Sequence, residues 1–178
     1  MKHQYTDLIT LFAQCFEQKW QTRLIKGDEE PLYIPANATK PLHHIIFAHG
    51  YFSSALHEIA HWLIAGPARR QQVDYGYWYM PDGRTAEQQC LFQQVEVKPQ
   101  AMEWILSQAA GYRFHVSLDN LHGTNDEVLS FKQAIYQQVL TYCEQGLPAR
   151  ANQFRRALTE FYDTPKSFCA KVFSLNSM

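Results

Sequence analysis

The run His57-Glu58-Ile59-Ala60-His61 constrains this chain more than any other feature of it. On an α-helix, two histidines four residues apart share a face, one turn above each other. On such a helix both imidazoles can aim a nitrogen at one point. Neutral imidazole suits zinc, iron, copper and nickel. Glu58 is displaced around the helix but stays close to that point. The spacing is the helical H-E-x-x-H metal signature, which arises by chance in roughly one chain per hundred of this length. The surroundings must therefore carry the argument. Ala55, Leu56, Ile59, Ala60, Trp62 and Leu63 are all uncharged, which predicts a buried helix. Polar groups on a buried helix need partners, and a metal satisfies both histidines at once. The competing reading is a pair of hydrogen-bonded core histidines beside an ordinary acid.

Around this helix, expected over residues 53–65, the pattern alternates helical and extended pieces. Ser53 or Ser54 can cap its start, and Gly66 and Pro67 stop it. Leu8, Leu11, Phe12, Cys15 and Phe16 recur at helical spacing and predict a first helix over residues 5–19. Strands are expected at 22–26, 32–35 and 44–48, with a turn at 27–31 and His49-Gly50 ending the third. Residues 74–79 read as a further strand and Pro81-Asp82-Gly83 as a turn. Thr85 with Gln88, and Thr124 with Glu127, make capping-box patterns for two helices. The second of these helices ends near Gly146. Pro99 suits the first turn of a separate helix over 99–110. A last helix covers 149–162. Helices outnumber strands, and the strands lie mostly in the first half. The expected fold is α+β: one helix-rich domain with a small sheet packed near the metal-binding helix, a zincin-like arrangement. Residues 1–165 are expected to form this domain and 166–178 a C-terminal tail.

A length of 178 residues with 46% hydrophobic side chains supports a real core. A formal net charge of −1 argues against whole-domain attraction to nucleic acid or to an anionic membrane. No unbroken apolar stretch is long enough to span a bilayer. The N-terminal apolar run is interrupted by Asp7 and followed by Glu17 and Lys19, unlike a signal peptide. These features predict a cytoplasmic protein. Cys15, Cys90, Cys143 and Cys169 are scattered without C-x-x-C spacing, so a thiolate metal site is not expected.

Two histidines rarely complete a catalytic metal site, which needs a third ligand and an open position. Glu87, Glu96, Glu103, His115 and His122 are available. Glu96 leads, because in Val95-Glu96-Val97, just before Pro99, it is flanked by apolar residues and so tends inward; Glu103 is next. The competing reading makes Glu96 an alternating surface residue. His49, at the end of a strand, is a further candidate for the site region. Two chemistries fit a site of His57, His61 and Glu96. In a zinc peptidase, Glu58 is the general base toward metal-bound water. In a non-haem Fe(II) oxygenase, two histidines and a carboxylate leave positions for oxygen and substrate, and Glu58 orients a neighbour. Iron oxygenases more often build such triads on strands, which favours the peptidase on geometry. A closed structural site ranks last, for want of a fourth ligand.

The chain also resembles the elongation factor P hydroxylase family of bacterial cytoplasmic proteins. The resemblance is carried by Thr22-Arg23-Leu24-Ile25-Lys26-Gly27-Asp28, by Phe47-Ala48-His49-Gly50 onward to Arg70, and by Asp74-Tyr75-Gly76-Tyr77-Trp78-Tyr79. Pro81-Asp82-Gly83-Arg84 and Val95-Glu96-Val97-Lys98-Pro99-Gln100-Ala101 extend it. It implies hydroxylation of the β-lysylated lysine of elongation factor P, the last step of that modification, with Fe(II) the natural metal and zinc the alternative. It also implies His57, His61 and Glu96 as ligands. A β-lysyl-lysine carries amines, so the resemblance implies acidic groups to receive them; Asp74 and Asp82 are the first candidates, with Asp119 and Glu103 behind them. Arg69, Arg70 and Arg84 are candidates to dock the protein partner. The electron source is left open; if 2-oxoglutarate serves, Arg84 or Lys98 is available to bind it.

Overall fold

The computed structural model describes residues 2–74, 86–117 and 125–178. Tyr75, Tyr77, Trp78, Tyr79, Asp82, Arg84, Thr85, Asp119, His122 and Thr124, all named above, lie outside the described residues, as do the side chains of Glu87, Gln88 and Cys90. The chain opens with α1 (Tyr5–Phe12), widens into a π-helical turn (Ala13–Glu17) and closes with α2 (Gln18–Trp20). Gln21, at φ 47°, ends this run in the left-handed region and turns the chain into the sheet.

Three short strands follow: β1 (Thr22–Lys26), β2 (Leu32–Ile34) and β3 (His43–Phe47). Their order is β1-β3-β2, with β3 parallel to β1 and antiparallel to β2. Leu24, Ile45 and Phe47 alternate inward and bury one face of the sheet against helices, as a period of two requires. Of the segment expected as a fourth strand, Asp74 forms an isolated antiparallel bridge with Tyr33.

His49 (φ 57°) and Gly50 (φ 69°) both adopt left-handed backbone and swing the chain from β3 into α3 (Phe52–Ile64). The expected serine cap is not used. Tyr51 occupies the N-cap position in extended conformation with no side-chain cap bond, and Ser53 and Ser54 fall inside the first turn. The tight turn starts the helix one residue early, because Phe52 is then buried in the core. At the other end Arg150 holds α3 in place. Its guanidinium donates to the carbonyls of Leu63 (3.1 Å) and Ala65 (2.8 Å), and it lies over the rings of Trp62 (4.4 Å) and Trp20 (4.9 Å). A cation there also suits the negative end of the helix dipole.

The larger correction concerns α4, a single helix over Ala86–Ala110 with Pro99 in its interior. Pro99 does not open a separate helix, and Glu96 lies in the helix that continues through it. A proline inside a helix forfeits one backbone hydrogen bond and costs roughly 3 kcal/mol. Burial on both sides of it outweighs that loss. Phe92 and Glu96 before Pro99, and Gln100, Ala101, Met102, Trp104, Ile105 and Leu106 after it, are all buried. The helix is central to the fold. Met102, Leu106, Ala109 and Ala110 join the core formed with α1, α3 and α6 (Ala149–Phe161). Ala101, Trp104 and Ile105 face a second cluster with Phe131, Ile135 and Val139 of α5 (Asn125–Gln145). That cluster also takes in Phe173, which stands edge-on to Trp104 at 5.2 Å. The residues after Pro165 thus contribute an aromatic anchor that no periodicity in their sequence announces.

The architecture is α+β, with helices packed on a three-stranded sheet. Among the described residues, no helix is long and apolar enough to cross a membrane.

Candidate metal centre

Two helices build the site. α3 presents His57 and His61 one turn apart, because Ala55, Leu56, Ile59, Ala60, Trp62 and Leu63 bury the rest of its surface and fix its rotation. α4 runs across that face and presents Glu96, which is 3% exposed. Nε2 of His57 and Nε2 of His61 stand 3.0 Å apart. Glu96 Oε1 is 3.2 Å from His61 Nε2, and Glu96 Oε2 is 3.5 Å from His57 Nε2. On the far side of the His57 ring, Nδ1 lies 2.8 Å from Glu103 Oε2.

These groups form a possible metal site: His57, His61 and Glu96 bring one ligand atom each within 4.8 Å of one another. Ligand atoms each about 2.1 Å from a common ion stand roughly 3.0–3.4 Å apart, for octahedral or tetrahedral angles. The spacings of His61 Nε2 from His57 Nε2 (3.0 Å) and from Glu96 Oε1 (3.2 Å) fall in that range, and that of His57 Nε2 from Glu96 Oε2 (3.5 Å) lies just beyond it. Glu96 Oε2 supplies a second test. It is buried and has no hydrogen-bond partner among the described residues. A buried carboxylate oxygen without a partner is costly, and a cation at this point removes the cost. The donor set of two imidazoles and a carboxylate suits a divalent transition metal.

The charges are strongly coupled. Burial opposes a proton on His57, but its hydrogen bond to Glu103 and the charges of Glu103, Glu96 and Glu58 outweigh burial and raise it to about 10. Burial pushes the Glu96 carboxyl up, but His61 and His57 overcome it and hold it at about 2. Burial raises Glu58, and His57 and His61 partly offset this. Without a metal, a proton on His57 therefore partly compensates the acids.

A cavity opens beside the histidines. Glu58 and His61 border it, Ile45, Trp62 and Tyr33 wall it, and Arg69 and Asp74 stand at its edge. Asp74 is paired with Arg69. The Tyr33 hydroxyl donates to the carbonyl of Arg70 and lies 3.0 Å from His43 Nδ1, which also accepts the backbone N–H of Ala36. Of the sequence candidates, the structure gathers His57, Glu58, His61, Glu96 and Glu103, and brings Asp74 to the neighbouring cavity. His115, Lys98 and His49 are exposed and take no part in the cluster. His49 instead packs near Tyr51, with ring centroids 6.0 Å apart. The contact of Glu103 with the rear of His57 was not legible beforehand. The available signal was its seven-residue spacing from Glu96, which puts both on one face only if the helix continues through Pro99. The anchoring role of Arg150 left no signal in the sequence.

Known proteins match the chain over most of its length. The model of the family described as elongation factor P hydroxylase matches residues 11–173. A protein of Haemophilus influenzae named elongation factor P lysine hydroxylase is 56% identical over 164 residues, covering 92% of each chain. Both similarities run through the two helices that carry His57, His61, Glu96 and Glu103, and the chain belongs to the elongation factor P hydroxylase family.

Proposed function

We propose that this protein hydroxylates the β-lysylated lysine of elongation factor P, in the cytoplasm, with Fe(II) held by His57, His61 and Glu96. The observation that carries the metal part is the buried carboxylate of Glu96, whose Oε1 lies 3.2 Å from His61 Nε2 and whose Oε2, without a hydrogen-bond partner among the described residues, lies 3.5 Å from His57 Nε2. The substrate is supported by the family and by the name of the H. influenzae relative. The family match also favours oxidation over the hydrolytic reading of H-E-x-x-H, in which zinc would replace iron and Glu58 would act as general base.

When bound, ferrous iron supplies the activation of dioxygen for insertion into a C–H bond. The chain's own residues set the conditions. His57, His61 and Glu96, on two helices, would hold the metal, and three protein ligands would leave further coordination positions for oxygen and substrate. Glu58, half-buried on the next position of α3, lies at the border of the cavity, where burial raises its carboxyl and it can orient a neighbouring group. Ile45, Trp62 and Tyr33 shield this side from water and suit the methylenes of a lysyl side chain. Asp74, at the edge of that cavity, and Asp82 are the acids proposed to receive the substrate's amines.

One oxygen atom goes to the product and the other to water, so two electrons must come from a reductant. The test is intact-mass analysis of β-lysylated elongation factor P incubated with the protein, Fe(II) and ascorbate, in air and under anoxia. A gain of one oxygen atom in air alone is expected. No gain in air, or an equal gain without oxygen, rejects the proposal.

A further inference from the structure

Five of the six residues at 101–106 of α4 are buried and uncharged: Ala101, Met102, Trp104, Ile105 and Leu106. The sixth, Glu103, is a carboxylate only 6% exposed. A buried charge in such a stretch is costly unless it is paired. The pairing is specific: Glu103 Oε2 meets Nδ1 of His57 at 2.8 Å, on the side of the ring opposite the nitrogen that faces His61 and Glu96. A neutral imidazole carries its proton on one nitrogen and its lone pair on the other. A carboxylate beside Nδ1 keeps the proton there and leaves the lone pair on Nε2. Among the described residues, no carboxylate stands in this relation to His61.

We propose that Glu103 is a positioning residue for the metal centre: it accepts the Nδ1–H of His57, fixes the ring and tautomer that present Nε2 to the metal, and strengthens that nitrogen as a donor. The inference rests on the proposed metal site and assigns Glu103 outside the ligand set. Glu96 and Glu103 then divide the labour of one helix face, the first contacting the metal and the second acting through His57. Carboxylates behind metal-bound histidines commonly account for roughly 10–100-fold in metal affinity.

The test uses the full chain, with Zn(II) for NMR and Co(II) for competition titration, on wild type, Glu103→Ala, Glu103→Gln and His57→Ala. Wild type should bind one metal and show a slowly exchanging, downfield Nδ1–H resonance that is absent in His57→Ala. Glu103→Ala should still bind one metal, with affinity reduced roughly 10–100-fold, and should lose that resonance. Glu103→Gln should keep the resonance, because its amide oxygen accepts the same bond, and should recover part of the affinity. That partial rescue separates positioning from a merely structural ion pair, and the Gln variant carries the test if the Ala variant does not fold. Unchanged affinity and resonance in Glu103→Ala overturn the inference. So does complete loss of metal in Glu103→Gln, which would make Glu103 a ligand. Failure of wild type to bind metal more tightly than His57→Ala overturns the metal site itself, and this inference with it. One bound metal with an unresponsive Glu103 overturns this inference alone.

Discussion

Glu96 and His61 approach to 3.2 Å across the α3–α4 interface, joining a helical histidine pair to a carboxylate thirty-five residues further along the chain. The contact relies on the burial of both helices, since neither side chain could be held there by its own local sequence. It ties the candidate chemistry to the packing of α3 on α4.

Replacing His57, His61 or Glu96 by Ala should reduce bound metal below detection at one equivalent and abolish hydroxylation with it. Metal analysis of the purified variants, alongside intact-mass assay, measures both. A variant that loses metal but retains activity removes the cluster from the reaction.

Glu58→Gln separates the two chemistries of the motif. As a group beside the metal, its amide should leave metal stoichiometry unchanged and hydroxylation measurable. As the general base of a hydrolase, its loss should cost roughly 100–10,000-fold. Turnover of modified elongation factor P by the variant decides between them.

Metal uptake should depend on pH in a direction set by His57. Its proton is held to about 10 in the metal-free protein, so the charged pair stabilises the fold fully below about 6.5, and this contribution is lost as pH rises through about 10. A metal needs the neutral ring. Affinity should therefore rise between about pH 6.5 and 10, with proton release on binding. Calorimetry at pH 8 in two buffers of different ionisation enthalpy reads this directly; identical heats would mean that His57 is already neutral.

Arg150→Ala should destabilise the protein by about 2–3 kcal/mol, combining lost hydrogen bonds from a charged donor with lost ring contacts. The residue joins α6 to the last carbonyls of α3 and fills the space between Trp20 and Trp62. Arg150→Lys should not restore the loss, because an ammonium lacks the planar fork. Urea denaturation of the three proteins tests both statements.

Phe173→Ala should cost about 3–5 kcal/mol, as for a fully buried aromatic. Its ring belongs to the cluster that α4 and α5 share. A midpoint shift in denaturant within experimental error would show that the residues after Pro165 are dispensable to the core.

The histidine pair, its helix and the short strands were legible in the sequence, because each rests on local spacing. Positions 57 and 61 share a face on any α-helix. The expected strand at 22–26 coincides with β1, and that at 44–48 lies within one residue of β3, because apolar residues mark them and turns bound them. Glu96 was singled out from its apolar neighbours just before Pro99, although Pro99 reads as a helix start and the structure places both residues inside one helix.

By itself, then, the sequence determined that two imidazoles could act together and that the chain would be a helix-rich α+β fold. Only the tertiary structure decided what completes the cluster. Pro99 locally signals a helix start, yet the burial of residues on both sides carries α4 through it. That continuity sets Glu96 and Glu103 on one face, two turns apart, one toward Nε2 of the histidines and the other toward Nδ1 of His57. Local propensity could not assign those places, because they follow from how two buried helices cross.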